Sequence, residues 1–552
     1  MRATDSTDDR AVDGNLRIGV RKSPVSRLRL LLVGLELGLL VAAIPLLLFP
    51  RGYLPWIGLG LLVGGWSLHG IATGMWFVRT PVDRPVAILS LMAMVGLYAS
   101  VDLSLSMPKF YGIVLSIFVF YATVRLVSNE RRFWVGIGLL ALGVVAVSLI
   151  GLVGTDWSAG KFPGLQHVYN LVPRVIKSVQ TSVGTSTGFN SNEVGGTLGF
   201  LLPLPVALVL RGSCSRLQKV ALGTTILLGF GVLALSASRS SLVGITAAII
   251  CLLVWRWRRA GFVLVAVVLI GLGVAIKFDA PAIAGFLLKM DSVSATSGLG
   301  ALSGRPEIWQ RAVYMIEDFP FTGIGLNTFP IVIGTLYPLF EIGPDVLVSH
   351  AHNIFLQTAV DLGLGGLLGF LGLWVCTAYA GWQAYRSVGS SDRRSLQAAL
   401  IGLMAGMLSY LIFGLTDAIT LGAKPSVLLW LMIGLVIAAR RIVRFEDKAV
   451  LGTLTLTLSH CGGRGDVLPL PSHCGGRGDV VPLPSHCGGR GDVLPLPSQW
   501  ERVRVRVPFP SALRRTLSIG LAVAGDTYWL LAYLFVALGF LVVGLGISGW
   551  LI

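Results

Sequence analysis

The sequence carries little charge for its length. Only 13% of its 552 residues are Asp, Glu, Lys or Arg, where a soluble protein carries about a quarter. That excludes an ordinary water-soluble domain and makes domain counting from length uninformative. Cysteine is scarce: Cys214 falls in a predicted cytoplasmic loop, Cys251 and Cys376 in predicted helices, and Cys461, Cys474 and Cys487 in a repeat. The long external loops predicted below have none, so no disulfide framework is expected. No Cys/His pair stands at zinc-ligand spacing, and no carboxylates cluster in those loops, so no metal site is expected. A nucleotide-cradling loop is missing too, since Gly323-Ile324-Gly325 is a lone Gly-x-Gly. The polar N-terminus and the apolar run after it are both too long for a cleaved signal peptide.

What is abundant is apolar sequence. The chain is 54% hydrophobic with a mean hydropathy of +0.78. Runs of roughly 20 apolar residues recur, the length a helix needs to cross a bilayer core. The expected fold is an all-α polytopic membrane protein with about 12 transmembrane helices and a thirteenth near the C-terminus. Spans are predicted at 29–49, 55–78, 85–105, 110–127, 133–154, 193–210, 220–237, 240–255, 260–277, 355–384, 396–416 and 425–439. Residues 1–28 read as a disordered cytoplasmic tail, and 29–440 as one membrane domain with long external loops at 155–192 and 278–354. The net charge of +17 invites a nucleic-acid reading, but its placement argues otherwise. Arg21, Lys22, Arg27, Arg29, Arg131, Arg132, Arg256, Arg258, Arg259, Arg393, Arg394, Arg440, Arg441 and Arg444 all fall on one side of this topology. That is the positive-inside bias, and it orients the chain.

Residues 449–515 differ in kind. A unit beginning Ser-His-Cys-Gly-Gly-Arg-Gly-Asp recurs from Ser459, Ser472 and Ser485, with a partial fourth start at Ser498. Its Gly and Pro content and lack of hydrophobic period leave nothing to build a core, so it reads as a flexible insertion. One Cys per unit lacks the paired spacing of a zinc site. Residues 516–552 hold the last apolar segment, at about 527–551.

The longest polar interval runs from Leu302 to Gly366, and the chemistry is expected there, because polar groups at a membrane are costly unless used. Pro306 marks a helix start and Pro320 its end. Glu307 and Arg311, four apart, can pair on that helix. Arg239 sits in a hairpin of a few residues between two spans. It either snorkels to the surface or anchors an anion, since its planar fork suits phosphate oxygens. Arg305, fixed between Gly304 and Pro306 at a helix start, and Arg311 are either a solvated helix face or further anion donors. His352 is the candidate base, because an imidazole titrates near neutral pH; the alternative is a cap on the re-entering helix. His350 is a second candidate two residues away. Asn353 could orient a partner, and Asp417, at the outer end of a span, could orient the histidine or bind sugar.

The joint pattern resembles the O-antigen ligase and O-antigen polymerase superfamily. It consists of Ser303-Gly304-Arg305-Pro306-Glu307-Ile308-Trp309, then Phe319 to Phe329, then His350-Ala351-His352-Asn353 with Asp361-Leu362-Gly363. Asn192-Glu193 opening a span and Ser238-Arg239 at the tight hairpin fit the same pattern. The resemblance covers about 29–440. It implies a metal-independent inverting glycosyltransferase of the GT-C type in the bacterial inner membrane, with its active site on the periplasmic face. Such an enzyme moves a glycan from undecaprenyl diphosphate to an acceptor hydroxyl on a lipid, a glycan or a protein. The family's membrane-proximal arginine corresponds to Arg239, its loop arginine to Arg305 and its histidine to His352. Arg311, His350, Asn353, Asn192 and Asp417 are the substrate-binding candidates, and no cofactor is implied. The alternatives are a transporter of a small solute or inorganic carbon, or a protein O-oligosaccharyltransferase of the same superfamily. A transporter calls for broken helices with polar groups at mid-membrane and paired repeats.

Overall fold

A computed structural model describes residues 24–155, 189–257, 263, 304–343, 346–388 and 393–460. The N-terminal tail before residue 24, most of the first long loop, residues 278–303, 344 and 345 of the second, the predicted ninth span apart from Val263, and the repeats and apolar segment beyond residue 460 lie outside them. Among the described residues the protein is all-α. Its helices are α1 (Pro24–Leu48), α2 (Leu54–Thr73), α3 (Asp83–Tyr98), α4 (Leu103–Leu126), α5 (Glu130–Gly154), α6 (Ser191–Leu201), α7 (Pro203–Arg211), α8 (Arg216–Ser236), α9 (Arg239–Arg256), α10 (Arg305–Asp318), α11 (Phe329–Leu336), α12 (Ile354–Ser387), α13 (Arg394–Phe413) and α14 (Ser426–His460). The chain divides into two compact units, Met1–Glu446 and Asp447–Trp550, and the site lies in the first. Residues 449–460, assigned above to the insertion, are the helical end of α14.

Ten segments among the described residues are long and apolar enough to cross a membrane. They match ten of the twelve predicted spans. The predicted span at 85–105 is α3, whose 16 residues are too short to count; α4 then starts at Leu103 and takes Pro108 in its stride. The span at 193–210 is two helices in line, because Pro203 and Pro205 divide α6 from α7. Outer helices turn apolar side chains outward, as in Leu31 and Leu35 on α1 and Leu217 and Leu227 on α8; lipid takes the place a soluble core would fill. The inner helices are α13, α14 and the α6–α7 pair, and they supply Phe200, Leu403, Tyr410, Trp430 and Met432 to the main core.

Helix α12 is broken at Gly363, where φ is +66° and ψ −178°. A break in a membrane helix strands backbone groups that lipid cannot satisfy. Here residues 319–328 fill it. Ile324 N–H donates to the Val360 carbonyl (2.8 Å), and Leu364 N–H to the Pro320 carbonyl (2.8 Å). The same segment reaches α3 and α4: Leu326 N–H donates to Gly96 O (3.1 Å), Ser106 Oγ to Leu326 O (2.5 Å), and Asn327 Nδ2 to Leu105 O (3.0 Å). Gly323-Ile324-Gly325, useless as a nucleotide loop, is thus a plug. Gly323 has φ +67°, and a side chain there would overlap the Val360 carbonyl.

The two ends of the bundle differ. One gathers basic residues tied to the helix ends: Arg441 donates to Val124 O (2.6 Å), Arg440 to Gln383 Oε1 (2.6 Å), and Arg393 lies 3.6 Å from Glu130. Towards that end a buried triad joins α1, α2 and α4. Glu36 pairs with Arg125 and, at 2.6 Å, with His69. The Arg125 guanidinium lies 4.0 Å from the centre of the Trp66 ring.

Candidate active site

The other end is built around the entry to α12. Asn353 caps that helix: its Oδ1 accepts from Phe355 N–H (2.9 Å) and Leu356 N–H (3.1 Å). Its Nδ2 donates to the Leu415 carbonyl (3.0 Å), and Ile354 N–H donates to Gly414 O (2.7 Å). The turn after α13 is therefore stapled to the histidine segment at two points. His352 takes a left-handed backbone, with φ +48°. For a residue other than glycine this costs about 1–3 kcal/mol and persists only where neighbours over-determine it. Here the cap on one side and Ala351 N–H donating to Gln357 Oε1 (2.6 Å) on the other do so.

Both histidines aim at Asp417, which is 3% exposed. Its Oδ1 pairs with His350 Nε2 (3.2 Å) and His352 Nδ1 (3.4 Å) and accepts from Ala418 N–H (2.9 Å). Its Oδ2 accepts from Asn192 Nδ2 (3.0 Å), at the start of α6. Burial alone would raise the carboxyl pKa, but hydrogen bonds from His350 and His352 outweigh it and hold it well below the usual range. His350 is pushed down to about 4, first by burial and then by His352 beside it, against the pull of Asp417. At neutral pH the cluster is thus an anionic Asp417 accepting from a neutral His350. With Nδ1–H of His352 donated to Asp417, Nε2 is left with its lone pair, which is what a base needs.

Arg239 opens α9. Ala237, at φ +47°, closes the hairpin before it. One residue on, Ser240 Oγ accepts from Thr416 Oγ1 (2.8 Å), next to Asp417. The half-buried Arg239 thus starts a helix whose first turn touches the turn bearing Asp417, and the N-terminus adds backbone donors suited to an anion.

In the loop, α10 runs from Arg305 to Asp318, bounded as Pro306 and Pro320 require. Arg305 is buried in its first turn, and α10 packs along α12. Glu307 accepts from the N–H groups of Phe340 (2.5 Å), Glu341 (3.0 Å) and Ile342 (3.0 Å). Burial works to raise its pKa, yet those donors and Arg311 bring it below the usual value. Arg311 lies 3.8 Å from Glu307 and 5.4 Å from the Phe340 ring centre.

The fold therefore joins His350, His352, Asp417 and Asn192 by direct hydrogen bonds, Asn353 through the shared turn, and Arg239 through the Ser240–Thr416 contact. It places Arg311 in the bracing of the loop. Two contributors escaped the sequence reading. Ser349 Oγ bonds His350 Nδ1 (2.7 Å), and Gln357 links Ala351 to Asp361 Oδ1 (2.8 Å). Gln357 and Asp361 are four apart on a helix, a pairing signal available in advance. The fold also assembles a trio that chain spacing does not reveal: His350, His352 and Asp417 bring ligand atoms within 4.8 Å of one another.

Comparison with known proteins bears on the family. Residues 224–371 match the family model described as O-Antigen ligase. Both Arg239 and Arg305, the two histidines and Asn353 lie inside that range; Asn192 and Asp417 lie outside it. The chain is also 26% identical over 313 residues to the O-antigen ligase of Pseudomonas aeruginosa strain PAO1, which covers 56% of this chain and 63% of that protein. Both matches support the O-antigen ligase superfamily. The match spans less than two thirds of that ligase's length. The motifs that carry the O-antigen ligase resemblance have visible structural work in this fold. Phe319–Phe329 plugs the α12 break, Asp361-Leu362-Gly363 forms the break, and His350–Asn353 presents the histidines.

Proposed function

We propose that this protein is a glycan ligase or polymerase of the bacterial cell membrane. It transfers a glycan from undecaprenyl diphosphate to an acceptor hydroxyl on the external face. The observation that carries the reading is the His352–Asp417 pair, buried at the end of the bundle away from the basic residues. By the positive-inside bias the basic end is cytoplasmic, which leaves the pair outside. In the reaction the acceptor oxygen attacks the anomeric carbon, forming one C–O bond as the bond to the diphosphate breaks. His352 Nε2 takes the hydroxyl proton, and Asp417 steadies the imidazolium through Nδ1–H. Arg239 and Arg305 hold the diphosphate as charge builds on it. Attack opposite the leaving group inverts the anomeric centre. Two arginines supply the positive charge that a metal ion would otherwise bring, so the reaction runs without one.

The broken helix would be the transporter's signature, but its break is filled by residues 319–328. The enzyme reading is therefore preferred. The decisive experiment is glycan transfer by purified protein. His352→Ala is expected to lower turnover roughly 100- to 10,000-fold, the usual worth of a positioned base, with lipid-linked donor still bound. Unchanged turnover in His352→Ala, with loss in His350→Ala, makes His350 the base. Unchanged turnover in both removes the histidine mechanism.

A further inference from the structure

We propose that His350 Nε2, His352 Nδ1 and Asp417 Oδ1 form a zinc site whose occupancy switches the enzyme off. The inference rests on the function just described, which makes His352 the base. Zinc bound tetrahedrally at about 2.0–2.1 Å sets its ligand atoms about 3.3 Å apart. The two histidine nitrogens stand 3.2 and 3.4 Å from Asp417 Oδ1, and all three atoms fall within 4.8 Å of one another. Two imidazoles and one carboxylate suit zinc and leave a fourth position open, whereas magnesium and calcium prefer oxygen ligands throughout.

The ligands are also held from behind. Ser349 Oγ engages the far nitrogen of His350 at 2.7 Å, and Asn192 holds the far oxygen of Asp417 at 3.0 Å. Such outer partners fix ligand orientation and tune affinity. The two ligand-bearing segments are already fastened by Ile354 N–H to Gly414 O and by Asn353 Nδ2 to Leu415 O. Little needs to move beyond the rotation of two rings.

The consequence for the reaction follows from the tautomer. Without metal, His352 carries its proton on Nδ1 and accepts on Nε2. Zinc takes the Nδ1 lone pair, so the neutral ring must carry its proton on Nε2. His350 likewise shifts its proton to Nδ1, facing Ser349. No proton is gained or lost overall. The base simply has nothing left to accept with, and the nearby cation further disfavours protonating the ring.

The test uses the full chain carrying Cys461, Cys474 and Cys487→Ser, so that no thiol of the repeats contributes to the titration. Zinc is titrated by calorimetry in detergent, and glycan transfer is followed with zinc, with chelator and with magnesium. The expected result is one saturable zinc per chain, reversible inhibition by zinc, none by magnesium, and full activity in chelator. His350→Ala should weaken zinc binding at least tenfold. Ser349→Ala, which removes only the support behind His350, should weaken it several-fold and keeps the proposal testable if His350→Ala does not fold. No saturable binding, or binding untouched by both variants, overturns the site. Activity lost in chelator and restored by zinc overturns the inhibitory role. Zinc binding is read without turnover, so a protein that binds zinc but transfers no glycan sinks the enzyme reading and leaves the site standing.

Discussion

Replacing Asp417 with asparagine removes a charge and almost no shape. The carboxylate serves four donors: His350 Nε2, His352 Nδ1, Ala418 N–H and Asn192 Nδ2. An amide oxygen placed at Oδ1 still serves the first three. The new NH2 then faces Asn192, whose own amide can turn to offer oxygen. What is lost is the charge on two hydrogen bonds to imidazole. Bonds to charged groups are worth about 1–1.5 kcal/mol more than neutral ones, so the His352 bond loses about 1–1.5 kcal/mol of support for the imidazolium that forms as the acceptor is deprotonated. At 1.36 kcal/mol per factor of ten, turnover should fall roughly 5- to 13-fold. The melting temperature should change little. Asp417→Ala should lose turnover and stability together, because it leaves several buried donors without an acceptor. The assay is glycan transfer from lipid-linked donor by detergent-purified protein, with thermal unfolding on the same samples. Wild-type turnover in a folded Asp417→Asn protein would refute the argument and reduce Asp417 to a structural post. The same cluster fixes a pH trend. His350 is held down at about 4 in the folded state, against about 6.5 unfolded. Between those values the unfolded chain binds the extra proton, so stability should fall as pH drops from about 6.5 to about 4.

Other outcomes follow from other parts of the fold. Arg239→Ala should abolish transfer while the protein still reaches the membrane, and Arg239→Lys should recover little, because a point charge does not reproduce the planar fork; full transfer by the purified alanine variant sinks the diphosphate role. Gly323→Ala should destabilise by about 2 kcal/mol or more, since it combines a left-handed backbone with overlap on the Val360 carbonyl. Gly334→Ala, in open space on α11, should be neutral or stabilising by about 0.5–1 kcal/mol, and equal melting temperatures for the two would count against the plug. Arg125→Met should cost about 3–5 kcal/mol by stranding Glu36, whereas adding Glu36→Leu should restore most of it; chemical denaturation of the single and double variants reads the difference.

The architecture was largely legible because a bilayer imposes a length rule, and ten apolar runs obey it. The short α3 was read too long, because apolar residues continue past its end at Tyr98 through Val101 and Leu103 into the start of α4. The break in α12 hides inside a single predicted span, and only Gly363 and its facing loop reveal it. At the site, residue chemistry singled out both histidines, Asn353, Arg239 and Asp417. Their pairing was invisible, because Asp417 lies 65 residues from His352 and nothing local records the contact. Glu36 could have been noticed, since a lone carboxylate in an apolar span demands a partner. Its partners His69 and Arg125 come from two other helices, and only the fold names them.

The two staples between the histidine segment and the turn after α13 end on carbonyl oxygens of Gly414 and Leu415. A main-chain acceptor exists whatever side chain its residue bears. Leu415 can therefore drift freely in evolution without shifting Asp417 relative to His352. Gly414 is less free, because a side chain there would collide with Ile354. The proposed acid–base geometry is thus held by the backbone, so side chains around it can change without rebuilding it.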